Sequence, residues 1–311
     1  IGGIGMSGLA QIMNNMGFVV QGSDLNKSKN TDRLIKKGIK IFFSHQGKNL
    51  NDATIAITSS AITKNNKELL AAKQKKIPVF SRGDMLANIV SLKKNIIVSG
   101  SHGKTTTTSL VANILAKAGL DPTVINGGVI NSLKNNAQLG KGEWAVIESD
   151  ESDGSFLKLP ITYSIVTNVD KEHLNFYGSF EQLKKNFSKF IEKTPSYGKS
   201  IVCIDNKNLK KIIEKCKTRN FLTYGFSKNS NYQIKNVRRK INYSIFDLRI
   251  KLPFAKAYRI KNIMVNLIGS HNISNATSSV AVALNLGIKI KIIKKALKKF
   301  LGIQRRFTKV F

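Results

Sequence analysis

The sequence predicts an α/β protein made of two successive open-sheet units, and three observations carry that expectation. At the start, Gly3-x-Gly5-x-x-Gly8 opens a helical pattern and Asp24 closes the next strand, the spacing of a dinucleotide-type βαβ unit. Near the first third, the apolar run Ile96-Ile97-Val98 feeds "GSHGKTTTT", Gly100 to Thr108. Such a strand, glycine turn and helix aims backbone N–H groups and the positive helix end at an anion. Around these, short β patterns alternate with helical ones, the rhythm of a parallel sheet. Residues 1–93 therefore read as a Rossmann-like open sheet, and 94–307 as a P-loop mononucleotide-binding ATPase domain.

Taken in order, "IGGIGMSGLAQIMNNMGFVVQGSD" reads as strand end, glycine turn, helix and strand. Strands are expected at Lys40–Phe43, Ala53–Thr58 and Pro78–Phe80, with a Lys-rich helix near Lys67–Lys76. The second unit opens with strand Asn95–Ser99. In the helix after the quoted loop, Leu110, Val111, Ile114, Leu115 and Ala118 share one face, and Gly119 is placed to cap its end. Further strands are expected at Trp144–Ile147, Tyr163–Thr167, Ser200–Ile204 and Phe221–Tyr224. Tyr232–Leu252 reads as antiparallel strands with no helix between them. "IKIKIIKKALKKFLG", Ile288–Gly302, predicts a basic amphipathic helix with Ile293, Ala296, Leu297, Phe300 and Leu301 on one face. A membrane-surface role is one use of such a helix; a domain helix with a solvated Lys face is the simpler one.

Composition narrows the class. At 311 residues the chain exceeds the size at which one core usually splits into domains. No stretch approaches 18 consecutive apolar residues, which argues against a membrane span, and no signal peptide is evident. Cys203 and Cys216 are the only cysteines and form no CxxC pair, which fits a reducing cytoplasm rather than a disulfide framework or zinc site. The net charge of +33 invites a nucleic-acid partner. The excess, however, is spread along the chain, is mostly Lys, and accompanies abundant Asn and Ile. Those residues share A/T-rich codons, so base composition explains the charge, and no aromatic stacking motif accompanies it.

The motifs call for phosphate chemistry. Lys104 is placed to reach β- and γ-phosphates and the Thr105 hydroxyl to ligate Mg²⁺, although the match is to G-x-x-G-K-T, because position 98 is Val. A metal-bound nucleotide needs carboxylates, and "WAVIESDESDGSF" puts Glu148 directly after an apolar strand, with Asp150, Glu151 and Asp153 behind it. The chain has only 18 acids, so this clustering favours a role over a solvated turn. "VTNVDKEHLN" repeats the geometry with Asn168, Asp170, Glu172 and His173. Of the four histidines, His102, His173 and His271 lie in such loops and His45 does not. "GSHNISNA" places Asn272 and Asn275 at a helix start, where Asn also serves as a simple cap.

In this order, "GGIGMSGLA", "TSSAI", "GSHGKTTTT", "NGG", "ESDESDGSF", "TNVDKEH", "GSHNISNA" and "GIQRRF" closely resemble the Mur ligase family, in particular its branch that joins L-alanine to the carboxylate of UDP-N-acetylmuramate in bacterial peptidoglycan synthesis. The resemblance covers essentially the whole chain. It implies a cytoplasmic, ATP- and Mg²⁺-dependent ligase working through an acyl phosphate, with small-molecule substrates, no nucleic-acid partner and no membrane span. It further implies that Gly100, Ser101, His102, Gly103, Lys104, Thr105 and Thr106 wrap the ATP phosphates and that Asn272 and Asn275 face adenine and ribose. Arg306 would close the ATPase domain, and Thr105, Glu148 and His173 would hold metal, with Lys104, Glu148 and His173 catalytic. Gly3, Gly5, Met6, Ser7, Asp24, Ser59 and Ser60 would line the UDP site, which makes the dinucleotide fingerprint a misleading match. Family members have three domains. The chain begins inside the first strand and stops at Phe311, so 308–311 is expected to start a C-terminal Rossmann-like domain that is otherwise absent, leaving a fragment. That domain ordinarily closes over ATP and helps to place the amino acid. Two alternatives stand beside this reading: a ligase that attaches a recycled tripeptide to the same sugar nucleotide, against which "GGIGMSG" speaks, and a nicotinamide-dependent oxidoreductase, which leaves the second phosphate loop unexplained.

Overall fold

The computed structural model describes residues 1–130 and 135–302. The N-terminal part runs through helix α1 (Ile4–Asn15), strand β1 (Gln21–Ser23), α2 (Lys29–Ile35), β2 (Lys40–Phe42), β3 (Ala56–Thr58), α3 (Lys67–Gln74), β4 (Val79–Ser81) and α4 (Arg82–Val90). The α/β alternation is as expected, and both strand pairs are parallel. They form two separate two-stranded sheets, β1-β2 and β3-β4, each strand three residues long. Helix α1 serves both: Leu9 and Met13 pack with Met85 toward β3 and β4, and Ala10 packs with Leu34 and Ile39 toward β2. The helix begins at Ile4, so Gly5 and Gly8 are helical residues, not part of a turn, and Ile1–Gly3 carry no strand.

From Lys94 onward one large sheet dominates. Its elements are β5 (Lys94–Ser99), α5 (Lys104–Lys117), β6 (Thr123–Ile130), β7 (Asn135–Gln138), β8 (Trp144–Glu148), β9 (Tyr163–Val166), α6 (Leu174–Tyr177), α7 (Phe180–Glu192), β10 (Ser200–Cys203), α8 (Lys207–Lys215), β11 (Phe221–Gly225), β12 (Tyr232–Arg239), β13 (Ser244–Ile250), β14 (Tyr258–Val265), α9 (Ser270–Asn285) and α10 (Ile290–Lys298). The strand order is β14-β13-β12-β11-β10-β9-β5-β8-β6-β7. Pairing is parallel from β6 through β12, while β7, β13 and β14 join antiparallel, the last two continuing the run expected from Tyr232 onward.

The central strands are covered on both faces, which is why β5 reads as a continuous apolar run: Ile96, Ile97 and Val98 are fully buried. Leu110, Val111, Ile114 and Leu115 of α5 close over them, and Gly119 takes the left-handed conformation just past the helix end (φ 79°). Trp144, at the start of β8, stacks at a tilt on Tyr163 with ring centroids 6.1 Å apart. At the far end, Ile293, Ala296, Leu297 and Phe300 are buried as the amphipathic pattern required, with α10 lying against α5, α9 and β14. Leu301 departs from the pattern. The helix ends at Lys298, the face is lost, and Leu301 is 68% exposed.

Candidate active site

Strand order puts β5 between β8 and β9, and the register aligns Val98 with Glu148 and Ser99 with Val166. The carboxyl ends of these three strands therefore open on one crevice, where α/β sheets bind ligands. Into it projects the loop Gly100–Gly103. Gly100 (φ 132°) lets the backbone pass the neighbouring loop, since a Cβ there would stand 2.2 Å from Thr167 Oγ1. Gly103 (φ 85°) sits under Asn275, whose Oδ1 would be 2.7 Å from a Cβ. That contact brings the start of α9 against the loop. Asn275 and Asn272 are both buried, with Asn275 Nδ2 donating to Asn272 Oδ1 at 3.4 Å and Asn272 Nδ2 to the Ile268 carbonyl.

Helices α2, α3, α4, α7 and α8 begin at Ser28, Asn66, Ser81, Ser179 and Asn206, whose side chains accept from the first turn. Helices α1 and α5 begin at Gly3 and Gly103 with no side-chain cap, and α6, α9 and α10 are likewise uncapped. The first N–H groups of α1 and α5 remain available to an anion.

The loop after β9 braces the phosphate loop. Asn168 Oδ1 accepts from the His102 N–H at 2.7 Å, Asn168 Nδ2 and Thr167 Oγ1 donate to the His102 carbonyl, and the Ser101 hydroxyl accepts from the Asp170 N–H. His102 Nε2 lies 3.6 Å from Asp170 and 3.5 Å from Glu172. The sequence marks Asn168 and Asp170 only as members of a polar loop; their hydrogen bonds to His102 and Ser101 define the phosphate loop's shape.

Two polar groupings face the crevice. In the first, Thr105 Oγ1 donates to Glu148 Oε1 at 3.0 Å, and Glu148 Oε2 accepts from the Gly127 N–H at 2.6 Å. In the second, Lys104 Nζ binds Glu151 Oε1 at 2.8 Å and the carbonyls of Gly100 and Ser101. His173 Nε2 lies 3.7 Å from the same Glu151 oxygen. Glu151, Glu172 and His173 each bring a ligand atom within 4.8 Å of the others. Glu151 is 1% exposed, and burial pushes its carboxyl above the ordinary range against the pull of Lys104. Its Oε2 has no hydrogen-bond partner among the described residues. Tyr177 donates its hydroxyl to the Glu151 carbonyl, and burial together with the nearby carboxylates holds that phenol protonated. Hydroxyl and carboxylate oxygens beside a buried, unpartnered carboxylate oxygen suit a small divalent cation.

The expected site residues thus meet in one place for Gly100 to Thr106, Glu148, His173, Asn272 and Asn275. The N-terminal set is more dispersed. Asp24 Oδ2 accepts from the Gly2 N–H at 2.7 Å beside the start of α1. Gly5 faces the Arg82 guanidinium, whose Nη1 would be 3.2 Å from a Cβ. Arg82 reaches toward Asp150 of the acidic turn at 4.0 Å. Ser7 is fully buried, with its hydroxyl donating to the Ile4 carbonyl. Met6 is half-buried in the first turns of α1, and Ser59 and Ser60 follow β3 at the surface. Arg306 lies outside the described residues, as does 308–311.

Comparison with known proteins matches this arrangement along the whole chain. The family description "Mur ligase middle domain" matches residues 98–283, and "Mur ligase family, catalytic domain" matches 1–94. The UDP-N-acetylmuramate–L-alanine ligase of Pelagibacter ubique is 58% identical over all 311 residues, which span 67% of its length. The enzyme of that name from Rhizobium etli is 46% identical over 99% of the chain and 66% of its own. The chain therefore spans about two thirds of the length of these curated relatives. Among solved structures, the UDP-N-acetylmuramate–alanine ligase of Thermotoga maritima matches with a TM-score of 0.87 at 28% identity, covering all of this chain and 69% of that one. The UDP-N-acetylmuramate:L-alanyl-γ-D-glutamyl-meso-diaminopimelate ligase of Neisseria meningitides matches at 0.85 and 25%, over 98% and 97%. On both family descriptions and on identity over its full length, the chain belongs to the Mur ligase family.

Proposed function

We propose that this chain carries the sugar-nucleotide and ATP sites of a ligase that joins L-alanine to the carboxylate of UDP-N-acetylmuramate in the bacterial cytoplasm, for peptidoglycan synthesis. Residues 1–93 hold the UDP part and 94–307 the ATP. The observation that carries this reading is the crevice itself, where an uncapped phosphate loop, the Thr105–Glu148 pair and Lys104 come together, with the first turn of α1 linked to the acidic turn through Arg82.

The chemistry follows from charge. The substrate carboxylate must approach the γ-phosphate of ATP, and two anions repel, so the site has to supply positive potential in advance. Lys104 and the N–H groups of α5 provide it from the protein. Thr105 and Glu148 would hold Mg²⁺ on the phosphates, with His173 toward the substrate side, and the ion supplies further charge neutralisation when bound. The carboxylate is phosphorylated to an acyl phosphate with release of ADP, and the amine of L-alanine then displaces phosphate to form the amide. Lys104 must leave Glu151 to meet ATP, and the buried Glu151 carboxylate then faces His173 and Glu172. Asn275, against Gly103, and its neighbour Asn272 would receive the nucleoside. Positioning and neutralisation supply most of the rate in phosphoryl transfer.

The tripeptide ligase reading is kept as the second, because the Neisseria structure shares this fold nearly as closely. The L-alanine reading is preferred because relatives at 58% and 46% identity carry that name. Calorimetry on the chain tests the nucleotide: heat on adding MgATP and none with NAD supports the ligase, and the reverse overturns it. ADP release by the full-length protein with L-alanine, compared with the tripeptide, separates the two ligases.

A further inference from the structure

Helix α1 packs on strands β6 and β7 of the large sheet, with Ile12 in the shared core and one buried amide beside it. Asn136, on edge strand β7, is 2% exposed. Its Nδ2 donates to the carbonyl of Ile4, in the first turn of α1, at 2.8 Å. Its Oδ1 accepts from Gln11 Nε2, further along α1, and from Arg33 Nη1 of α2, each at 3.3 Å. The approach is close because of Gly8, where a Cβ would stand 3.2 Å from Asn136 Nδ2. The third glycine of the fingerprint thus seats the helix on this side chain.

The other strand of the same hairpin touches the ATP side. The Gly127 N–H donates to Glu148 Oε2 at 2.6 Å. Asn126 Nδ2 donates to Ser109 Oγ at 2.9 Å, and that hydroxyl donates to the Thr105 carbonyl at 2.7 Å. One hairpin therefore binds the first turn of α1 on β7 and Glu148 with α5 on β6.

We propose that Asn136 is a positioning residue for ligation: it fixes the first turn of α1, and with it the sugar-nucleotide diphosphate, relative to Glu148 and the ATP loop. This rests on the functional reading above, in which α1 faces UDP and the loop Gly100–Gly103 faces ATP. A carboxylate and a γ-phosphate held by separate parts of the chain react only when brought to about 3–3.5 Å, and a misplacement of about 1 Å costs up to roughly 100-fold. A side chain that fixes the spacing acts on turnover, not on either affinity.

The test is steady-state kinetics of Asn136→Ala and Asn136→Asp in the full-length protein, with thermal unfolding of each. The aspartate keeps the acceptor for Gln11 and Arg33 and loses the donor to Ile4, so it preserves the fold if alanine does not. Both variants are expected to lose kcat by roughly 10- to 100-fold, with KM for ATP and for the UDP sugar within about twofold of the parent. Arg33→Met, which removes one acceptor-side contact, should keep kcat within about twofold. An unchanged kcat, a loss confined to KM, an equal loss in Arg33→Met, or failure of both Asn136 variants to fold each overturns the proposal. The parent's turnover, measured alongside, tests the functional reading separately: an active parent matched by active variants removes only the role of Asn136.

Discussion

Lys104 Nζ sits 2.8 Å from Glu151 Oε1, an ammonium 16% exposed against a carboxylate 2% exposed at their side chains. The phosphate-loop lysine is thus committed to an internal partner in the structure, and ligand binding must exchange one anion for another. Removing Lys104 alone leaves a buried carboxylate uncompensated, at about 3–5 kcal/mol.

Lys104→Met is therefore expected to lower stability by roughly 3 kcal/mol and to abolish ATP binding while UDP-substrate binding persists. The double variant Lys104→Met/Glu151→Gln should recover most of the stability and none of the ATP binding. Urea denaturation and calorimetry on the chain check both halves. Simultaneous loss of ATP and UDP binding would mean that the two sites are not separate.

Glu148 and His173 differ in what surrounds them, and magnesium titration of full-length activity should reveal it. Glu148 bonds the Thr105 hydroxyl, whereas His173 neighbours Glu151. Glu148→Gln should raise the metal concentration for half-maximal rate more than His173→Ala does, because hard oxygen ligands suit Mg²⁺ better than imidazole. Unchanged magnesium dependence in both variants removes the metal assignment.

The basic helix α10 should not anchor the chain to membranes. Ile293, Ala296 and Leu297 are already buried in the core, so the apolar face that an interfacial helix needs is occupied. Co-sedimentation with anionic vesicles at physiological salt is expected to leave the folded chain in the supernatant; pelleting refutes this.

Alkaline pH should weaken the fold through Cys203. Burial pushes its thiol from about 9.0 up to about 11. The unfolded chain loses this proton first, so the contribution is complete below pH about 9 and disappears as pH rises through about 11, a change of about 3 kcal/mol. Buried Tyr224 and Tyr232, also pushed upward, add to the same loss. Cys203→Ala should flatten the dependence of stability on pH between those limits, measured by denaturant unfolding. An unaltered slope would falsify the assignment.

Legibility in the sequence varied with periodicity. The strand Ile96–Val98 and the face of α5 were readable because burial on both sides of a sheet and on one side of a helix writes distinct patterns. Glu148 was readable because it ends an apolar strand. Glu151 was not: the turn S-D-E-S-D has no period, so nothing marks which acid folds back onto Lys104. Asn136 was equally hidden, since a single amide between two helices and a hairpin is a product of packing alone. The separation of β1-β2 from β3-β4 is not written in the sequence, because three-residue strands carry no register of their own. The helical period assigns Leu301 to the α10 face only if it continues past Lys298, where the helix ends.

Trp144 gives the chain a built-in optical probe. It is the sole tryptophan, 8% exposed, with Lys94 Nζ over its ring at 5.7 Å. It also begins the strand that ends in Glu148. Excitation selective for indole therefore reports on β8 alone, with no background from the N-terminal strand pairs. Loss of the large sheet would red-shift the emission as water reaches the ring, while melting confined to residues 1–93, which give this core only Ile12, Leu86 and Val90 among its buried members, would shift it far less. Paired with far-ultraviolet circular dichroism, this emission distinguishes one cooperative transition from two without any label.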